Sequence, residues 1–215
     1  MNVVLLHAFP LDERMWEPQL PLLAEHQVTT PRLYGRGPTM DAWADSISDE
    51  FDGDAVLVGA SMGGYCALAL ARRAPERVHA LLLCGSRPDP DSEDRRAGRA
   101  DTIRLIRSEG AEGLWRSMRP KLFADEAKAD VRLLFREADQ LVGAVEAIRD
   151  RGDSTEVARS LDGRLQFVLG ESDQFVSAAE LDGFDVRAIT GAGHLVNLER
   201  PEAFNVALRE FLDRV

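Results

Sequence analysis

The sequence predicts an α/β fold: a mostly parallel sheet of about six strands, wrapped by helices. Short runs that are apolar almost throughout, "NVVLL", "AVLVG", "VHALLLC" and "RLQFVLG", alternate with longer stretches of helical pattern. A strand with no polar face is buried on both sides, and strands joined through helices run parallel. The chain has 215 residues, 45% of them apolar and 29% charged, which suffices for one sizeable core and is short for two.

Taken in order, "NVVLL" opens the sheet directly after Met1, so no earlier hairpin is expected and the sheet is truncated at its N-terminal edge. An amphipathic helical segment is expected from about Glu13 to Glu25, followed by the weakly extended "QVTTPRL" and the glycine-rich "YGRGP". A helix over about Met40 to Phe51 leads into the strand "AVLVG", and another runs from Ser61 to about Arg73, stopping near Pro75. After "VHALLLC" the alternation breaks. From about Arg87 to Arg159 the chain is rich in Arg, Glu and Asp, helical in pattern, and without a convincing strand. It reads as a helical lid, 87–159, inserted into a core made of 1–86 and 160–215. Both ends of the insertion are expected near the carboxyl edge of the sheet, and the lid is therefore expected above a site there. "RLQFVLG" and "DVRAIT" complete the sheet. Their connection, Phe175 to Asp185, is too short for a crossover helix and is expected to hold one helical turn at most. The last helix starts near Pro201, a residue suited to a first turn.

A net charge of −11 argues against a nucleic-acid or anionic-membrane surface, either of which demands a basic patch. The start has no basic n-region or small-residue cleavage site, and no apolar stretch approaches a membrane span. Cys66 and Cys84 sit in apolar runs without metal-like spacing, as buried thiols of a reducing compartment do. A cytoplasmic protein with no nucleic-acid or membrane partner is expected.

The chemistry gathers around "AVLVGASMGGYCAL". Gly59-Ala60-Ser61-Met62-Gly63 has the pattern of a nucleophile elbow, with a strand before it and a helix after it. Such a turn is so tight that side chains two residues either side of the nucleophile would strike the neighbouring strand and helix. It lifts the hydroxyl above the carboxyl end of the sheet and aims the first helical N–H groups at a developing oxyanion. A bare alternative is a glycine-tolerant helix start with Ser61 as its cap. A serine hydroxyl needs a base. Of four histidines, His26 reads as solvated, His79 as structural and His7 as a brace for the loop after the first strand. His194 lies in "ITGAGHLVNLERPEAF", a glycine-rich loop after the last strand, and is the base candidate. Asp173, following "RLQFVLG", is the acid favoured to orient it; Glu171 competes, and Asp89 or Asp91 is a fallback. The order Ser, Asp, His is the one such folds use. Ser61 Oγ is expected within hydrogen-bond reach of His194 Nε2, with Asp173 approaching Nδ1. Two N–H donors are needed for the oxyanion. Met62 supplies one, and Phe9 the other, because Pro10 has no N–H.

The segments "LLHAFPLDERMW", "LYGRGPT", "VLVGASMGGYCALALARRAPERVHALLL", "RLQFVLGESDQF" and "ITGAGHLVNLERPEAFNVALREFL" together resemble the α/β-hydrolases. More narrowly, they resemble the small lidded branch with 3-oxoadipate enol-lactonase-like and carboxylesterase-like members. The resemblance implies a serine hydrolase of a small ester or lactone, with Ser61, Asp173 and His194 as its triad and no metal or organic cofactor. The chain departs from the pattern at Ala8, usually Gly, and at Arg32 and Arg36 in "PRLYGRGPT". Within the lid, Leu114, Trp115, Met118, Phe123 and Leu134 are the apolar residues expected to shape the acyl pocket, and its arginines are placed to meet a substrate carboxylate or to face solvent. Other acyl-transfer, perhydrolysis or carbon–carbon hydrolysis chemistry with the same triad stays open, as does a non-catalytic binding protein on the same fold.

Overall fold

The computed structural model describes residues 1–215. Six strands form one parallel sheet: β1 (Asn2–Leu6), β2 (Gln27–Thr29), β3 (Ala55–Ala60), β4 (Val78–Cys84), β5 (Leu165–Gly170) and β6 (Val186–Ile189). Their order is β2-β1-β3-β4-β5-β6. Every residue of β3 and β5 is buried, as are Val3 to Leu6 of β1, so the apolar runs read from the sequence are strands covered on both faces. Only the edge strands β2 and β6 carry partly exposed residues through most of their length. From β1 the chain steps outward to β2, then returns past β1 to β3 and continues the other way. The reversal opens a crevice at the carboxyl ends of β1 and β3, the place where such sheets bind ligands.

The helices are α1 (Met40–Ser48), α2 (Met62–Arg73), α3 (Glu93–Leu122), α4 (Ala138–Arg149), α5 (Thr155–Ser160), α6 (Val196–Glu199) and α7 (Pro201–Leu212). Thr39 caps α1 by accepting the Ala42 N–H, and Ser92 caps α3 by accepting the Arg95 N–H. The expected helix from Glu13 to Glu25 is instead two separate 3-10 turns, Glu13–Trp16 and Leu20–Leu23. Pro18 and Pro21 fall inside that stretch and prevent a continuous ladder. Between β5 and β6 there is one 3-10 turn, Ala178–Leu181.

Residues 87–159 contain α3, α4 and α5 and no strand; a single isolated bridge ties Leu134 to Leu11. α3 is broken at Gly110, whose φ of 64° and ψ of −165° lie outside any helix. Only the start of the segment leaves the sheet at its carboxyl edge: β4 and β5 are parallel, so the chain re-enters at the amino end of β5, against the expectation that both ends lie at the carboxyl edge. What ties the segment to that edge is hydrogen bonding and ring contact. Leu122 O, at the end of α3, accepts the N–H groups of His194 (3.0 Å) and Leu195 (3.3 Å). The Phe135 ring stacks on Tyr34 at 3.9 Å, in the loop after β2. No helix is long and apolar enough to cross a membrane.

Candidate active site

Ser61 stands between β3 and α2 with φ 49° and ψ −109°, and no other non-glycine residue has positive φ. Such a conformation costs about 1–3 kcal/mol and persists only where its surroundings hold it. Here Ser61 N donates to Cys84 O (2.8 Å), and Ser61 O accepts from Gly64 N (2.9 Å), Tyr65 N (3.2 Å) and Ser86 Oγ (3.0 Å). The flanking glycines are required by space. A Cβ on Gly59 would lie 2.6 Å from Gly64 Cα, and one on Gly63 would run into the Leu6 carbonyl of β1. The Ser61 side chain does not cap α2.

His194 is 3% exposed and is held from several sides. Its Nδ1 lies 2.9 Å from Asp173 Oδ2 and 3.0 Å from Oδ1. The Phe175 ring lies 4.7 Å away, and Gly85 leaves room that a Cβ, 2.8 Å from Cε1, would take. The Asp173 carboxylate is fully buried and also accepts the N–H groups of Phe175 (2.8 Å) and Val176 (3.2 Å). Burial alone would raise its pKa; the His194 charge and hydrogen bond, with the two N–H groups, outweigh that and hold it below the ordinary value. Of the competing acids, Glu171 is exposed, Asp89 is paired with Arg87, and Asp91 is buried among arginines.

The loop after β1 carries Phe9. Ala8 keeps negative φ, its N–H goes to Met15 Sδ (3.1 Å), and no backbone carbonyl takes the Phe9 N–H. Met62 is the first residue of α2, so its N–H stands outside the helix ladder. His7 braces this loop against the next: Nε2 accepts the Leu33 N–H at 2.9 Å, while Nδ1 lies 3.2 Å from Ala8 O. Complete burial pushes His7 down to about 4, which keeps it neutral and able to accept.

Ser61, His194 and Phe9 line one cavity of about 260 Å³. Ser61 Oγ and His194 Nε2 share this cavity without a direct hydrogen bond between them. Of the apolar residues expected to shape it, Met118 lines the wall; Leu114, Trp115, Phe123 and Leu134 do not. These four are buried in the core, where Trp115 meets Phe123 edge-on at 6.1 Å and Leu134 bridges to Leu11. Their place on the wall is taken by Tyr65, Leu122, Ile148 and Phe175, and by a group of cations, Arg87, Arg95, Arg99 and Lys121. Glu199, overlooked in the sequence, is buried and accepts the N–H groups of Gly193 (2.6 Å) and Asp125 (2.9 Å), pinning the loop that carries His194. No group of three or more His, Cys, Asp or Glu side chains is arranged to hold a metal ion.

The model of the alpha/beta hydrolase family matches residues 3–207. The chain belongs to the alpha/beta hydrolase family. Among solved structures, this alpha/beta hydrolase is similar to a thermophilic esterase from Thermogutta terrifontis, with a TM-score of 0.87 and 30% identity, covering 99% of this chain and 89% of that one. It shares its fold with the enol-lactonase from Burkholderia xenovorans, with a TM-score of 0.83 and 24% identity, over 99% of this chain and 91% of that one. A curated relative is the pimeloyl-[acyl-carrier protein] methyl ester esterase of Aromatoleum aromaticum, 44% identical over 94 residues, 40% of this chain and 38% of that protein. The match to such relatives thus spans about two fifths of their length.

Proposed function

We propose that this chain is a serine hydrolase that cleaves a small carboxylic ester or lactone through an acyl-enzyme on Ser61. The observation that carries the reading is the meeting, at one cavity, of a serine in a strained, backbone-pinned turn and a histidine whose Nδ1 is fixed on a buried carboxylate. Asp173 at Nδ1 leaves His194 Nε2 as the basic nitrogen. On substrate binding Nε2 takes the Ser61 proton while Oγ attacks the carbonyl carbon, and the Phe9 and Met62 N–H groups receive the oxyanion. The tetrahedral intermediate collapses, His194 protonates the departing alcohol or enol, and Ser61 is left acylated. Water then attacks the acyl carbon, giving its proton to Nε2, and the carboxylic acid leaves as Ser61 recovers its hydrogen. The absent Ser61–His194 hydrogen bond is compatible with this scheme, since such bonds often tighten only in the substrate complex.

Relatives named as esterases support ester hydrolysis as the reaction class. A fluorophosphonate probe should label the wild-type protein and leave Ser61→Ala unlabelled. The same substitution should lower ester turnover on the order of 10⁶-fold. Labelling that survives in Ser61→Ala would assign the nucleophile elsewhere and remove the proposal.

A further inference from the structure

One continuous stretch of the insertion, residues 122–135, meets both loops that carry the proposed chemistry. Its first contact is with the loop of His194. A Cβ on Gly193 would stand 2.7 Å from Ala124 N and 3.2 Å from Leu122 O, so only a glycine lets the two segments approach this closely. Glu199, 1% exposed, spans the same junction: Oε2 accepts the Gly193 N–H (2.6 Å) and Oε1 the Asp125 N–H (2.9 Å). Neither oxygen is paired with a cation. A buried carboxylate without a counter-charge is costly unless hydrogen bonds satisfy it. Here each oxygen takes one main-chain donor from a different segment. An amide of the same shape has a single acceptor oxygen and must turn its NH2 towards one of the two N–H groups.

The second contact is with the loop of Phe9. Leu133 O accepts the Asp12 N–H (3.1 Å), Pro10 O accepts the Phe135 N–H (3.0 Å), and Leu134 bridges Leu11. Phe9 is thereby held on both sides, since the preceding Ala8 N–H goes to Met15 Sδ. Of residues 122–135, Leu122 alone lines the cavity, so the stretch is not built to contact substrate. What it offers the site is main chain, given to the two loops on which an imidazole and an oxyanion donor depend. We infer that residues 122–135 form a brace that positions the proposed catalytic groups. Glu199 fastens the base loop to one end of it, and the Phe135 N–H fastens the oxyanion loop to the other. Glu199 and Phe135 are then positioning residues; neither lines the cavity. The inference rests on the proposed hydrolase activity and gives the insertion a part in its chemistry.

The test cuts each end separately and reads kcat/KM for methyl butanoate and p-nitrophenyl butanoate, which share an acyl group. Attack by Ser61 and the oxyanion are common to both. Only the methyl ester also needs its leaving group protonated, because nitrophenolate departs as an anion. Glu199→Gln misplaces the base and should lower kcat/KM for the methyl ester by about 100-fold. The nitrophenyl ester should lose several-fold less. Phe135→Pro removes the N–H at the other end; Leu134 before it has φ −66° and ψ 124°, a conformation that accepts a following proline. That variant should lower both esters by one common factor, about 10-fold or more. The proton NMR signal of His194 Nδ1–H, shared with Asp173, should move in Glu199→Gln and hold its place in Phe135→Pro. Equal losses on the two esters in Glu199→Gln, with that signal unmoved, would overturn the inference and leave the hydrolase reading intact. If Glu199→Gln does not fold, Asp125→Pro deletes the other donor with the carboxylate in place. The same inequality between esters is then expected, and equality overturns the inference. If the wild-type protein cleaves neither ester, the hydrolase reading fails and the imidazole signal decides alone: moved by Glu199→Gln, the brace stands, and unmoved, it falls.

Discussion

Two helices leave the sheet one strand apart and are held in opposite ways. α2 follows β3 and is buried from Met62 to Ala71, its start pressed so closely on β1 that Gly63 has no room for a Cβ. α3 lies beyond β4, is broken at Gly110, buries only a minority of its residues, Ile103, Ile106, Leu114 and Trp115 among them, and carries charged pairs on its outer face such as Arg116–Glu109 and Arg136–Glu112. Ser61 stands at the start of the first, and Arg99, on the cavity wall, belongs to the second. Backbone packing leaves few alternatives within an ångström; long side chains on a surface helix leave many. The contrast separates a part that must be invariant to work from a part that can be rewritten to change what is bound.

The strongest challenge to this contrast is to leave the shape of the rigid part intact and alter one proton. Asp173→Asn keeps the volume but gives His194 Nδ1 an amide to face, favouring the wrong tautomer. Turnover should fall on the order of 10⁴-fold while the melting temperature changes little, checked by ester kinetics beside calorimetry. A loss smaller than about 10-fold would mean that Asp173 does not orient the base.

Next in size is Trp115→Ala. Trp115 is packed in the core beside Phe123 and does not line the cavity. The substitution should destabilise the protein by about 3–5 kcal/mol in urea denaturation. Preference between short and long acyl esters should stay close to wild type. A large selectivity change with little loss of stability would return Trp115 to the pocket.

His7 tests the rigid part through pH. Burial lowers it from its ordinary 6.5 to about 4, so the unfolded chain binds more protons than the folded one between those values. The stability from keeping His7 neutral is complete above about pH 6.5 and lost as pH falls towards 4, about 3 kcal/mol in all. His7→Gln should flatten that part of a curve of urea midpoint against pH. A wild-type curve already flat from pH 6.5 to 4 would contradict a buried neutral imidazole. The smallest effect belongs to the surface of α3: Arg116→Ala, removing an exposed ion pair with Glu109, should cost no more than about 1 kcal/mol in the same denaturation assay.

The sheet and the elbow were legible in the sequence because each is written in local rules, whereas the approach of Asp173 to His194 was read from their order after the last two strands and from the family resemblance. Unbroken apolar runs mark strands covered on both faces, and a tight turn admits only glycine at Gly59 and Gly63. The pocket wall was not legible, for a reason visible in α3. Trp115 and Met118 lie three residues apart after the break at Gly110, on neighbouring positions of one helical face, so apolar spacing cannot tell Met118, on the wall, from Trp115, in the core. Charge patterning misled in the same way. Arg99 reads as a solvated helix face until the buried position of Asp91 is known, and Asp91 itself sits in the polar run "RPDPDSEDRR". Glu199 was missed because an acid in a short helix next to a proline usually faces water, whereas here two N–H groups from distant segments converge on it.

The Leu122 carbonyl at the end of α3 receives both the His194 and the Leu195 N–H groups, and Glu199 ties Asp125 to Gly193. The inserted helices and the loop carrying the imidazole are thus stitched together by two main-chain bonds and by one buried carboxylate shared between them. Segments joined in this way open as one cooperative unit. Release of the last turn of α3 and loss of the imidazole's position are therefore coupled. Inactivation on heating should then track the opening of that seam rather than the separation of the parallel strands beneath it.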